Sequence, residues 1–89
     1  MYKIRKYNGI NFYYKLDQTI NGYEPHITIR HNISIEEAIF VYFNQDEVKQ
    51  NSINLRIEAY SKEINTVLYF TQKYNKETEI LIITAFRKE

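Results

Sequence analysis

An α+β architecture is predicted for this chain: an N-terminal β-hairpin, then a central helix packed on an antiparallel sheet of about three to four strands. Asn8-Gly9 sits between two β-rich runs and supplies the two positive φ values of a tight hairpin turn. Ser34-Ile35-Glu36-Glu37 reads as a capping box, and the apolar residues after it recur at helical spacing. From Ser52 onward the apolar period falls to two, the signature of strands with one buried face.

Tyr2 to Lys6 and Ile10 to Leu16 are the two arms of the opening hairpin. Asp17 to Pro25 is polar and holds Asn21-Gly22 and the only proline, so it is expected to be a loop that no strand crosses. His26 to Arg30 alternates like a strand but also fits a helical turn. His26 and Arg30 share a side either way, because i and i+4 are neighbours at both periods. In the helix after Ser34, the residues Ile35, Ala38, Ile39, Tyr42 and Phe43 form the apolar face, and Asn44-Gln45-Asp46 ends it. Ile53, Leu55, Ile57 and Ala59 should face the core from the next strand, with Asn54, Arg56, Glu58 and Tyr60 facing out. Thr66 to Thr71 is β-branched and aromatic, Tyr74 to Thr78 turns, and Ile80 to Phe86 is nearly continuous apolar sequence. That last run is expected to be central and buried on both faces, which leaves the Thr84 hydroxyl in need of a partner or a task.

At 89 residues the chain suits one domain spanning 1–89. Its 44% apolar and 26% charged content exclude an intrinsically disordered chain. The absence of cysteine excludes a disulfide framework and thiolate metal ligands. No apolar run approaches the ~20 residues of a membrane span. The basic start is not followed by the apolar stretch of a secretion signal, so a soluble, cytoplasmic protein is expected. The net charge of +1 is unevenly spread: +4 over residues 1–16, −5 over 17–47 and +2 over 48–89. Lysines and an arginine among tyrosines in the first stretch suit a polyanion.

The chain has only two histidines, in the run His26-Ile27-Thr28-Ile29-Arg30-His31. Imidazoles beside a fixed cation are what metal-free RNA cleavage requires. A base takes the ribose 2′-hydroxyl proton, an acid protonates the departing 5′-oxygen, and a cation steadies the charged phosphorus. An arginine between the histidines argues against a metal site, and both glycines are spent on turns, so neither a nucleophile elbow nor a phosphate-cradling loop is formed.

Pro25-His26-Ile27-x-x-Arg30-His31, a helix, Asn44-Gln45-Asp46-Glu47-Val48, two strands and Ile82-Ile83-Thr84-Ala85-Phe86 together resemble small bacterial and phage ribonucleases. These belong to the broad fold group of barnase, EndoU, colicin-type tRNases and RelE-type toxins. Arg30 to Ala38 is also similar to the lysine-histidine-glycine-valine-serine segment of BrnT-type toxins. The resemblance covers about residues 24–89. It departs at Gln45, where that family has proline, and at Asn32, where the BrnT-like segment has glycine.

The resemblance implies a metal-independent endoribonuclease of toxin type that needs no cofactor. His26 would be the principal acid/base group, Arg30 the phosphate clamp, His31 a second proton-handling or substrate-contacting residue, and Thr84 a hydroxyl for the phosphate or the histidine. Arg56, Arg87 and Lys6 are the expected substrate-binding cations, with RNA the substrate and a cognate neutralising protein the expected partner. The alternatives are an inactive binding module on the same scaffold, acting as a neutralising partner or a nucleic-acid accessory, and a homodimer held by tyrosines on an edge strand. The nuclease reading expects His26, Arg30 and Thr84 to converge in one cleft on the sheet face opposite the helix.

Overall fold

A computed structural model describes residues 1–89. Strand β1 (Tyr2–Tyr7) turns at Asn8 and Gly9, with φ of 50° and 76°, into β2 (Ile10–Thr19). β2 runs past the expected end of the hairpin and reverses through Ile20-Asn21 into β3 (Gly22–Pro25), pairing Asp17 with Glu24 and Leu16 with Pro25. The segment read as a loop is therefore a second hairpin. Its polar residues suit a ribbon at the margin of the sheet, where neither face needs to be apolar.

Pro25 then caps α1 (His26–His31), which resolves the helix-or-strand ambiguity in favour of helix. Asn32 stops it in the left-handed region at φ 56°, a conformation that glycine and asparagine tolerate best. α2 (Ile35–Phe43) begins at the expected capping box: Ser34 Oγ accepts the Glu37 N–H at 3.0 Å, and Glu37 Oε1 accepts the Ser34 N–H at 3.0 Å. Ile35, Ala38, Ile39 and Val41 are buried.

The remaining strands are β4 (Glu47–Gln50), β5 (Ile57–Ser61), β6 (Thr66–Gln72) and β7 (Glu79–Arg87), with a 3-10 turn at Lys73–Asn75. The sheet has seven strands, ordered β1-β2-β7-β6-β5-β4, with β3 on β2. All pairs are antiparallel except β2 with β7. The α+β class is as expected, but the strands are more numerous. The four-residue β3 and β4 carry no apolar alternation, and β4 is exposed throughout. Residues 51–56 form a turn rather than the start of a strand: Asn51 Oδ1 accepts the Ile53 and Asn54 amides, and Ile53 is 94% exposed.

Phe12, Tyr14, Ala59, Leu68, Phe70, Ile80, Ile82 and Ala85 from the sheet meet Ile27, Ile33 and the α2 face in one buried cluster. β7 is central, yet buried on one face only: Ile80, Ile82 and Ala85 are enclosed, while its other residues are partly open. Both helices lie toward this core. The opposite face carries Asn11, Tyr13, Lys15 and Asp17 from β2, Thr84 and Phe86 from β7, Tyr69 from β6 and Glu58 from β5, by alternation and register. No helix is long and apolar enough to cross a membrane.

Candidate functional site

β2 and β7 hydrogen-bond through only three residue pairs, Asn11–Glu79 to Tyr13–Leu81. Beyond them β2 turns to pair with β3, and α1 packs against both β2 and β7. Each end of α1 carries a histidine, and the two face different strands. His26, in the first turn, sets Nδ1 2.5 Å from Asp17 Oδ2 of β2. His31, at the last residue, lies with its ring 6.1 Å from that of Phe86 on β7. At about 100° per residue, five positions turn the side chain through roughly 140°, so the two imidazoles diverge.

The hydrogen bond from His26, opposed by desolvation and helped by the charges of Lys15 and Arg30, holds the Asp17 carboxyl below its ordinary range. Asp17 is thus ionised at neutrality and can only accept. Nδ1 must then carry the hydrogen, which leaves Nε2 as the ring's basic nitrogen. The two side chains are 26% and 31% exposed, so the pair is partly open to solvent. Lys15 Nζ lies 3.9 Å from the other Asp17 oxygen. Arg30 stands one helical turn beyond His26 and is exposed. An oriented imidazole beside two cations is suited to take a proton next to an anionic group.

The other expected residues are placed as follows. Thr84 is half-buried rather than enclosed, because β7 is covered on one face only, and it lies opposite Tyr69. Arg56 falls in the turn before β5, not on the strand's polar face, and forms no ion pair with a neighbouring strand. The Arg87 guanidinium is engaged by Glu37 at 2.5 Å and the Thr66 hydroxyl at 3.2 Å, which ties β7 to the α2 cap. Lys6 is exposed on β1 opposite Asn11. The structure thus joins His26 and Arg30, sends His31 toward the row of Thr84 and Tyr69, and leaves Arg56, Arg87 and Lys6 apart.

The expected cleft is an open surface. The principal cavities, of about 340, 170, 340, 240 and 400 Å³, are lined by neither histidine, nor by Arg30 or Thr84. The first lies on the helix side between the hairpin and α2, where Arg5 pairs with Glu36 and the Tyr7 ring meets Phe43. The second lies on the opposite face, walled by Glu47, Glu58, Tyr60, Tyr69 and Phe86 with Lys49 and Lys88 at hand. No three histidine or carboxylate side chains gather as a metal site would require.

Asp17 is not a candidate on sequence grounds because the polar stretch after Leu16 reads as a loop, and Lys15, on the hairpin arm, has no visible link to His26 until that stretch folds back. The signal was present: Asn21-Gly22 has the composition of a second hairpin turn, and pairing around it brings Asp17 opposite Glu24, two residues before His26. No family model, no curated protein and no solved structure matches the chain.

Proposed function

We propose that the protein is a metal-independent endoribonuclease of toxin type, acting on RNA in the cytoplasm without a cofactor and restrained by a cognate neutralising protein. The observation that carries this reading is the Asp17-oriented His26 ring with Arg30 and Lys15 beside it. His26 Nε2 takes the proton of a ribose 2′-hydroxyl, and the freed oxygen attacks the adjacent phosphorus. The bond to the 5′-oxygen breaks, leaving a 2′,3′-cyclic phosphate. Water at this open site protonates the departing oxygen, and the two cations offset the charge that builds on the phosphate.

The test is RNA cleavage in EDTA by the parent, His26→Ala and Asp17→Asn. Loss of a general base lowers the rate by about 10²- to 10⁴-fold. Asp17→Asn should give a smaller loss, since the ring loses the carboxylate that fixes its orientation. Equal cutting by parent and His26→Ala, or none by the parent, rejects the proposal.

A second reading, a nucleic-acid-binding module without catalysis, is favoured by one further contact. Lys73 Nζ sits 4.2 Å from the centre of the Tyr13 ring, which extends the basic hairpin face of Lys6 and Lys15. RNA binding by a parent chain that cuts nothing would select this reading.

A further inference from the structure

We propose that the free edge of β4 is a dimer interface, on which a second copy of this chain pairs antiparallel about a two-fold axis at Val48. The pairing requires no nuclease activity.

The main run of the sheet ends in two open edges, β1 and β4, and the two differ in charge. β1 carries Lys3, Arg5 and Lys6 with no acid, so two copies laid edge to edge repel. β4 reads Glu47-Val48-Lys49-Gln50, with an acid and a base on either side of an aliphatic residue. Along an antiparallel strand the backbone groups point alternately toward one neighbour and away from it. Asn51 N–H donates to Arg56 O at 2.8 Å and continues the β4–β5 register, so Asn51, Lys49 and Glu47 turn their N–H and C=O groups toward β5. Val48 and Gln50 turn theirs outward, where no strand of this chain meets them.

Three antiparallel registers pair those outward groups with a second copy, and they place Glu47, Val48 or Lys49 on the axis. The first sets Glu47 against its own counterpart and the third does the same for Lys49. Like charges directly opposite one another are unfavourable. With Val48 on the axis, Glu47 of each protomer lies opposite the partner's Lys49, and Val48 exchanges two backbone hydrogen bonds with its counterpart. One register is therefore selected.

Short charged strands also serve simply to keep an edge from pairing. β1 fits that role, since its charges have one sign. β4 does not, because its charges attract a copy of itself and its corner of the molecule is apolar: Val48 is 53% exposed, and in the turn that follows Leu55 is 57% and Ile53 94% exposed. Exposed aliphatic side chains beside an unpaired strand favour association. The interface spares the candidate site. β2, which carries Asp17, is separated from β4 by β7, β6 and β5, so the two His26 sites stand toward opposite ends of one continuous sheet.

The experiment is sedimentation velocity on the full chain over a concentration series. The parent should rise from 10.8 kDa toward twice that mass. Glu47→Lys and Lys49→Glu should each weaken self-association by about tenfold or more, since both ion pairs become repulsions. Lys49 also faces Glu58 on β5, so Glu47→Lys, which meets Tyr60, is the cleaner reversal. An equimolar mixture of the two variants should restore the dimer, as should the double variant Glu47→Lys/Lys49→Glu, because each again sets opposite charges across the axis. Val48→Pro removes an N–H that β5 does not use. It should abolish the dimer while circular dichroism and the NMR signals of β5 and β6 stay those of the parent.

A parent chain that is monomeric throughout the series overturns the proposal. So does a dimer indifferent to both reversals and to the proline, or a loss on single reversal that neither the mixture nor the double variant restores. None of these measurements reads RNA cleavage, so the dimer and the nuclease fail separately.

Discussion

Strands β4 to β7 pair antiparallel with their neighbours and back onto α2, whereas the ribbon of β1, β2 and β3 joins them through three parallel residue pairs. The C-terminal half is a sheet with a helix. The N-terminal half is a ribbon that joins the sheet through one short parallel contact, touches α2 through Arg5 with Glu36 and Tyr7 with Phe43, and packs along α1 beyond that contact. The side chains proposed for chemistry sit where the ribbon meets α1, with Asp17 and Lys15 from the ribbon and His26 and Arg30 from α1. A surface assembled from two halves is only as well defined as the joint between them.

Phe12 is the centre of that joint. It is fully enclosed, pairs with Ile80 across the parallel contact and meets the Tyr42 ring edge-on at 5.2 Å. Phe12→Ala should lower stability by about 3–5 kcal/mol, the usual cost of deleting a buried aromatic ring. Urea unfolding followed separately by NMR signals of β2 and of β6 sharpens the comparison. The expected result is that the ribbon melts at lower urea than the sheet in the variant; coincident melting with a loss under about 1 kcal/mol would mean that the joint lies elsewhere.

A smaller effect is expected on the C-terminal side. Ser34→Ala removes the hydroxyl that accepts the Glu37 amide and loosens the carboxylate that Arg87 grips. A lost N-cap costs about 1 kcal/mol. Because α2 packs chiefly on β5 and β6, the loss should appear in the midpoint of the β6 signals. A shift confined to β2 would contradict the division into halves.

The elements legible in the sequence were those whose residues state their own geometry. Asn8-Gly9 needs positive φ, Ser34 and Glu37 bond to one another, and Thr66 to Thr71 could hardly be other than a strand. What was hidden depends on contacts between distant segments. Nothing local in Glu47-Val48-Lys49-Gln50 marks it as a strand; it is one because β5 offers an edge. Thr84 was expected to be enclosed because continuous apolar sequence usually means two covered faces, but Leu81, Ile83 and Phe86 face partly open surroundings instead. His26 and Arg30 could be placed together from spacing alone. Asp17 could not, because its partnership with His26 depends on how the second hairpin folds back.

The least disruptive test of the joint is acid. Glu79 at the start of β7 accepts the Tyr13 hydroxyl at 2.7 Å and the Asn11 amide at 3.1 Å, both from β2. These bonds, the Tyr13 one foremost, hold its carboxyl below the ordinary 4.5, and the same bond pushes the Tyr13 phenol above its ordinary 10.0. Asp17, beside His26, is likewise held below 3.8. With the folded value lowered, the unfolded chain binds more protons throughout the window between the two values. The stabilisation from these carboxylates is therefore complete above the unfolded values and is lost as pH falls below about 4.5 toward the folded ones. Glu79→Gln does not titrate yet can still accept from Tyr13, so it should flatten the acid limb of stability against pH while changing neutral-pH stability little. Both carboxylates are partly open to solvent, so the effect is the smallest of the three, and it should appear in β2 signals before β6 signals. An acid limb identical in Glu79→Gln and parent would show that these cross-joint bonds do not couple the ribbon to the sheet.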